Sequence, residues 1–206
     1  MGLLNLFFFF FIIIPSAIIH EFSHAWMAYF LGDDTAKRFG RLTLNPLAHI
    51  DLWGTILMPI FLSLMSGGTF LFAYAKPVPF NPYNLRNQKY GQALVAIAGP
   101  AANLLVAVIF GLMVRFLPVS NFTLFLSIIV YANILLMVFN LIPIPPLDGS
   151  RIFDIFLPEK WIGIKYFFER NAFLILLFFL LFASAIIQPI VFLIFKLIVG
   201  TSPLEF

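Results

Sequence analysis

Ile12-Ile13-Ile14-Pro15-Ser16-Ala17-Ile18-Ile19-His20-Glu21-Phe22-Ser23-His24-Ala25-Trp26-Met27-Ala28-Tyr29-Phe30-Leu31 is the stretch on which the fold turns. It lies in an apolar run from about Leu3 to Leu31, longer than the roughly 20 residues a helix needs to cross a bilayer. His20, Glu21 and His24 stand inside that run. Ionisable groups at membrane depth are costly, and a function is the usual reason they are kept. Four-residue spacing puts His20 and His24 on one helix face, where both imidazoles can bind a single metal ion. Glu21 is displaced around the helix, close enough to act on a water at the metal without replacing it. Zinc suits this arrangement, because it accepts nitrogen ligands tetrahedrally and keeps one position open in catalytic sites. It also lowers the pKa of water toward about 7, so that a nearby carboxylate can take the proton. The competing reading is a polar cluster satisfied by neighbouring helices. Two of the chain's 3 histidines falling in one membrane segment favours the metal.

Composition agrees with a lipid environment. The 206 residues are 62% hydrophobic and 10% charged, against roughly 25% charged in a soluble domain. Cysteine is absent, which excludes disulfides, thiolate metal sites and cysteine nucleophiles. The net charge of +3 comes from basic residues scattered among apolar runs, a topology signal rather than a nucleic-acid patch. The N-terminal run has neither the basic n-region nor the small-residue cleavage site of a signal peptide. It is expected to be a retained first span.

Outward from that helix, the chain predicts an all-α membrane protein, a multi-spanning bundle of about four to six segments. A polar stretch with Lys37, Arg38 and Arg41 is followed by Leu52 to Tyr74, which is broken by Pro59 and by Ser66-Gly67-Gly68. Long apolar helices are expected at about Tyr90 to Leu117 and Phe122 to Leu141, joined by an uncharged turn. A proline-rich stretch, a charged region from Arg151 to Arg170 and a last apolar run from Asn171 to Val199 complete the map. Basic loops mark the cytosolic side. Both flanks of Leu52 to Tyr74 are basic, so that segment is expected to be re-entrant. Arg115 sits on the wrong side of this scheme, where a long side chain can snorkel. Residues 1–206 are read as a single integral membrane domain, with a core at 3–151 and an apolar C-terminal run at 171–199.

A third metal ligand is then required. Asp148 follows Pro143, Pro145 and Pro146, which stop a regular helix and leave backbone groups unpaired. Such backbone is tolerated at membrane depth only where protein or water satisfies it. An unwound segment presenting Asp148 beside Gly149 would bring an oxygen ligand to the metal. Pairing of Asp148 with Arg151 at an ordinary helix end is the bland alternative, and His49 and Asp51 are the rival ligands.

These residues carry a resemblance to the site-2 protease family of intramembrane zinc metalloproteases, in its short form without PDZ or CBS domains. It extends over roughly Ile19 to Arg151. The matching runs are His20-Glu21-Phe22-Ser23-His24-Ala25, Gly32 to Ala36, Gly40 to Pro46, His49-Ile50-Asp51, Ala75 to Pro79, Ala98-Gly99-Pro100-Ala101-Ala102-Asn103, and Asn140 to Gly149. The resemblance implies one zinc ion per chain, held by His20, His24 and Asp148, with Glu21 as the catalytic base. It implies that Asn140 positions substrate or stabilises the reacting carbonyl. The substrates so implied are transmembrane proteins or peptides, cut within or near the bilayer of the cell membrane. Leu3 to His20 measures about 25 Å along a helix, which puts the site toward the end that precedes the basic loop, near the cytosolic face. A metal permease and a non-catalytic scaffold are the alternatives. Repeated halves, expected of a permease, are missing, and a scaffold has no need of Glu21.

Overall fold

A computed structural model of the chain describes residues 9–65, 67 and 76–203. A π-helical turn, Phe9–Ile13, runs directly into α1 (Ile14–Phe30). Pro15 lies in the first turn of α1, where its missing N–H removes no helix bond. Ser16, His20, His24 and Ala28 are all buried, and their four-residue spacing makes them one stripe. The helix ends at Gly32, whose φ of 109° favours glycine. Beyond it, fully buried Asp33 accepts bonds from the backbone and hydroxyl of Thr35, from the Asn81 N–H at 2.7 Å and from the Asn84 amide at 2.8 Å. This carboxylate ties the end of α1 to the segment that leads into the next long helix.

Two short helices follow, α2 (Thr35–Arg38) and α3 (Pro46–His49), the second capped by the Asn45 side chain. A π-helical segment, Leu52–Leu57, then continues as α4 (Met58–Met65). This helical stretch is too short to cross a bilayer by length. The rest of the expected re-entrant segment, residues 66 and 68–74, lies outside the described residues.

Three helices are long and apolar enough to cross a membrane among the described residues. They lie within α5 (Gln88–Phe116), α6 (Asn121–Asn140) and α9 (Ala172–Val199). Between α6 and α9 come α7 (Asp148–Phe153) and α8 (Ile162–Arg170). A capping box opens α6: Ser120 Oγ accepts the Thr123 N–H, and Thr123 Oγ1 accepts the Ser120 N–H at 2.8 Å. No strand occurs among the described residues, and the chain is an all-α membrane protein.

The last apolar run is one helix that continues through Pro189. Ala183, Ile187, Val191, Phe195 and Val199 form its buried stripe, against Leu126, Val130, Ile134 and Val138 of α6 and Ala107 and Val114 of α5. Gly111 lets α9 approach α5, since a Cβ there would stand 2.4 Å from Ile198 Cγ2. Arg115, out of place by the charge rule, reaches the carbonyls of Leu197 and Ile198, both at 3.4 Å. It thus serves the C-terminus of α9, where unpaired carbonyls attract a cation.

Candidate metal centre

α1 and α5 run antiparallel, so that His20 meets Asn103 and His24 meets Val95. The loop after α6 supplies the third group. Its prolines end the helix, and Gly149 is pressed against the carbonyls of Leu141 and Ile142, where a Cβ would stand 2.2 and 2.5 Å from their oxygens. That close backbone approach folds the loop back and aims Asp148 at α1. Asp148 Oδ2 lies 3.0 Å from His20 Nε2 and 3.1 Å from His24 Nε2. The three side chains offer ligand atoms that all lie within 4.8 Å of one another.

This donor set fits zinc. Ligands at about 2.0–2.1 Å in a tetrahedron stand roughly 3.3 Å apart, close to the observed separations. Each histidine turns Nε2 toward Asp148 and engages Nδ1 elsewhere: His20 with Asn103 Oδ1 at 2.6 Å, His24 with the Val95 carbonyl at 2.7 Å. Second partners of this kind orient metal-binding imidazoles. Gly99 faces the same point. A Cβ on it would stand 2.5 Å from His24 Nε2 and 2.7 Å from His20 Nε2, so only glycine leaves room for an ion there.

Glu21 accepts a hydrogen bond from the Val78 backbone N–H at 3.0 Å on Oε2. Val78 belongs to the segment 76–81, which is neither helix nor strand and is pinned at Lys76, whose N–H donates to the His49 carbonyl at 2.9 Å.

The rival ligands are engaged elsewhere. His49 Nε2 bonds the Thr43 carbonyl at 2.7 Å. Asp51 caps the π-helical segment, accepting from the N–H groups of Trp53 and Gly54. Arg151 stacks over the Phe80 ring at 5.0 Å instead of pairing with Asp148. Asn140 is not in the cluster, and its amide donates to the Leu136 carbonyl one turn back at 2.9 Å.

Two polar groups outside the spans are held in their charged forms. Burial pushes the Asp33 carboxyl up, but the bonds from Thr35, Asn84 and Asn81 outweigh it and hold the carboxyl below its ordinary value. Burial likewise pulls Lys165 down, and Asp154 at 2.7 Å more than offsets it, leaving the ammonium above its ordinary value.

Val95, Gly99 and Asn103, four residues apart, form a row on α5 that supports both histidines. In the sequence, Gly99 and Asn103 stand out only as part of the run Ala98 to Asn103 that carries the family resemblance, and nothing there connects either with the imidazoles. The available signal was a glycine and an asparagine one turn apart in an otherwise apolar span.

Apolar helices that bury two imidazoles and a carboxylate around one point define a membrane protein with a candidate metal centre. The family model for peptidase family M50 matches residues 8–122 and 117–184, and the chain belongs to that family. Among curated proteins, it is 40% identical over 156 residues to "Putative zinc metalloprotease YwhC" of Bacillus subtilis (strain 168), covering 71% of this chain and 67% of that protein. It is 31% identical over 140 residues to "Putative zinc metalloprotease Rip2" of Mycolicibacterium smegmatis (strain ATCC 700084 / mc(2)155), covering 65% of this chain and 51% of that protein. The matched part is thus about half the length of this second relative. No solved structure matches significantly.

Proposed function

We propose that residues 1–206 act as one catalytic domain, in which His20, His24 and Asp148 hold one zinc ion and Glu21 is the general base. The observation that carries this reading is the convergence of the three ligand atoms within 4.8 Å, around a point that Gly99 leaves open. When bound, zinc supplies Lewis acidity toward the scissile carbonyl and toward water. Glu21 takes a proton from the attacking water, whose oxygen bonds to the carbonyl carbon. As the C–N bond breaks, Glu21 returns that proton to the departing nitrogen. With Oε2 held by the Val78 N–H, we assign Oε1 to the proton transfer. His20 and His24 donate through Nδ1, which keeps the Nε2 lone pairs turned inward. Asn140, at the mouth of the loop that carries Asp148, is assigned to substrate positioning.

The substrates are transmembrane proteins or peptides, and the site opens near the cytosolic face of the cell membrane. His20 and His24 lie in the later half of the apolar run from Leu3 to Leu31, which leads to Lys37, Arg38 and Arg41, and basic loops stay in the cytosol. A helical substrate must unwind at the cut, so its scissile region is expected to contain helix-weakening residues. Replacing those with Leu or Ala should slow cleavage.

The test measures zinc content and cleavage of a membrane-helix substrate by wild type, Glu21→Gln and Asp148→Ala. Stoichiometric zinc, cleavage lost with zinc kept in Glu21→Gln, and weakened zinc in Asp148→Ala are the expected results. Folded wild-type protein that stays zinc-free in metal-replete buffer would overturn the reading. An Asp148→Ala protein with unchanged zinc affinity would remove the third ligand.

A further inference from the structure

The buried polar groups of α1, α5 and α6 form a chain that ends on His20. Asn103 Oδ1 lies 2.6 Å from His20 Nδ1. Asn103 Nδ2 donates to Asn133 Oδ1 at 2.8 Å and to the Ser16 carbonyl at 3.3 Å. Asn133 Nδ2 donates to Ser16 Oγ at 3.0 Å and to the Ile129 carbonyl at 2.9 Å. Both asparagines are fully buried, and Ser16 is nearly so.

The direction of every bond in this chain is determined. A backbone carbonyl only accepts, so the Ile129 carbonyl requires the Asn133 amide nitrogen to face it. Asn133 Oδ1 then faces Asn103 and requires a donor, which the Asn103 amide nitrogen supplies. The Ser16 carbonyl imposes the same orientation on Asn103 independently. Asn103 Oδ1 is therefore left facing His20, and it can only accept. His20 must carry its proton on Nδ1, and its Nε2 lone pair must point toward Asp148.

We propose that Asn103 is a positioning residue that fixes the tautomer and ring orientation of His20 for metal binding, with Asn133 and Ser16 as its orienting partners on two other helices. This rests on the reading of His20 as a ligand. The side-chain amides of both asparagines find their partners within the protein, as polar groups at membrane depth require. It also explains two asparagines inside apolar spans that substrate contact does not account for. His24 needs no such device, because a helix carbonyl fixed by α5 serves it.

The experiment compares full-length wild type with Asn103→Ala, Asn103→Asp, Asn133→Leu and His20→Ala in detergent. Zinc affinity is measured by competition with a chelator, and the zinc-loaded proteins are examined by histidine 15N–1H NMR. Loss of a second partner typically weakens metal binding by about 10- to 100-fold, and that is the loss expected for Asn103→Ala. Asn103→Asp keeps an acceptor for His20 but loses the donor to Asn133 Oδ1 and the Ser16 carbonyl, and both it and Asn133→Leu should fall between wild type and Asn103→Ala. Wild type should show a slowly exchanging Nδ1–H for His20, which Asn103→Ala loses. A folded Asn103→Ala protein with wild-type affinity and an intact Nδ1–H signal would overturn the proposal. So would a wild-type His20 protonated on Nε2, a readout that does not depend on any variant folding. Unchanged zinc affinity in His20→Ala would instead remove the underlying ligand assignment.

Discussion

One row of small residues on α5 serves two different partners. Toward its N-terminal end, Val95, Gly99 and Asn103 face α1 and its two histidines. Toward the other end, Ala107 and Gly111 face α9. A four-residue step overshoots a helical turn by about 40°, so a single row winds from one neighbour to the next. The two halves are joined by different forces. Lipid is as apolar as leucine, so burial from water does not drive helix association within the bilayer. The α5–α6–α9 contact relies on close van der Waals packing of aliphatic stripes. The α1–α5–α6 contact relies on directional hydrogen bonds among Ser16, His20, Asn103 and Asn133. The packed half should respond to volume, and the polar half to the identity and orientation of single atoms.

The sharpest way to break this comparison is one methyl group. Gly99→Ala is expected to abolish zinc binding and cleavage together, because its Cβ would crowd His20 Nε2 and His24 Nε2, the proposed ligand atoms. Metal analysis of the purified variant beside its thermal unfolding checks this, and a zinc-loaded Gly99→Ala would show that the cradle is elsewhere. On the packed half, Phe195→Ala should lower stability by about 3 kcal/mol. It should leave zinc affinity unchanged, as read by denaturation in parallel with chelator competition. A loss of zinc there would mean that the two halves are not separable.

Smaller effects sharpen the picture at the edges of the site. Val78→Pro deletes the N–H that holds Glu21. A bond to a charged group contributes about 1.5–3 kcal/mol, so kcat should fall roughly 10- to 100-fold with zinc retained. A kcat within twofold of wild type would show that the Val78 bond does not orient the base. Asp33→Asn weakens the hub at the end of α1 and should lower stability by about 1–2 kcal/mol at neutral pH. Asp33 titrates below its ordinary value, so the stability it adds is present above about pH 4 and is lost as pH falls through its folded pKa. The difference between wild type and Asp33→Asn should therefore shrink in acid. A gap that does not narrow as the pH falls below about 4 would point to lost packing instead of lost charge.

Parts of the site were legible because they are local. His20, Glu21 and His24 lie within a turn and a half of one helix, and helical geometry alone puts the imidazoles on one face. Asp148 was legible as a carboxylate beside prolines at the end of a span, with Arg151, His49 and Asp51 as competitors. Geometry separated them by engaging each competitor elsewhere. Asn140 was expected at the substrate, and its amide bonds its own helix. The re-entrant reading of Leu52 to Tyr74 has a short helical first half, and the remainder falls outside the described residues.

The sequence by itself determined the solvent, the helical class and the placing of His20, Glu21 and His24 within one helix. Each depends on composition or on spacing within one helix, where 3.6 residues per turn leaves little choice. Only the tertiary structure decided which groups stand behind the histidines. His20 and Asn103 are 83 positions apart and Asn103 and Asn133 are 30 apart, and no periodicity links them. Their meeting follows from antiparallel packing of three helices whose register is set by close contacts and by mutual hydrogen-bond satisfaction in a medium without water. The same is true of Gly99. Its missing side chain has meaning only once two imidazoles from another helix are seen to occupy the space beside it.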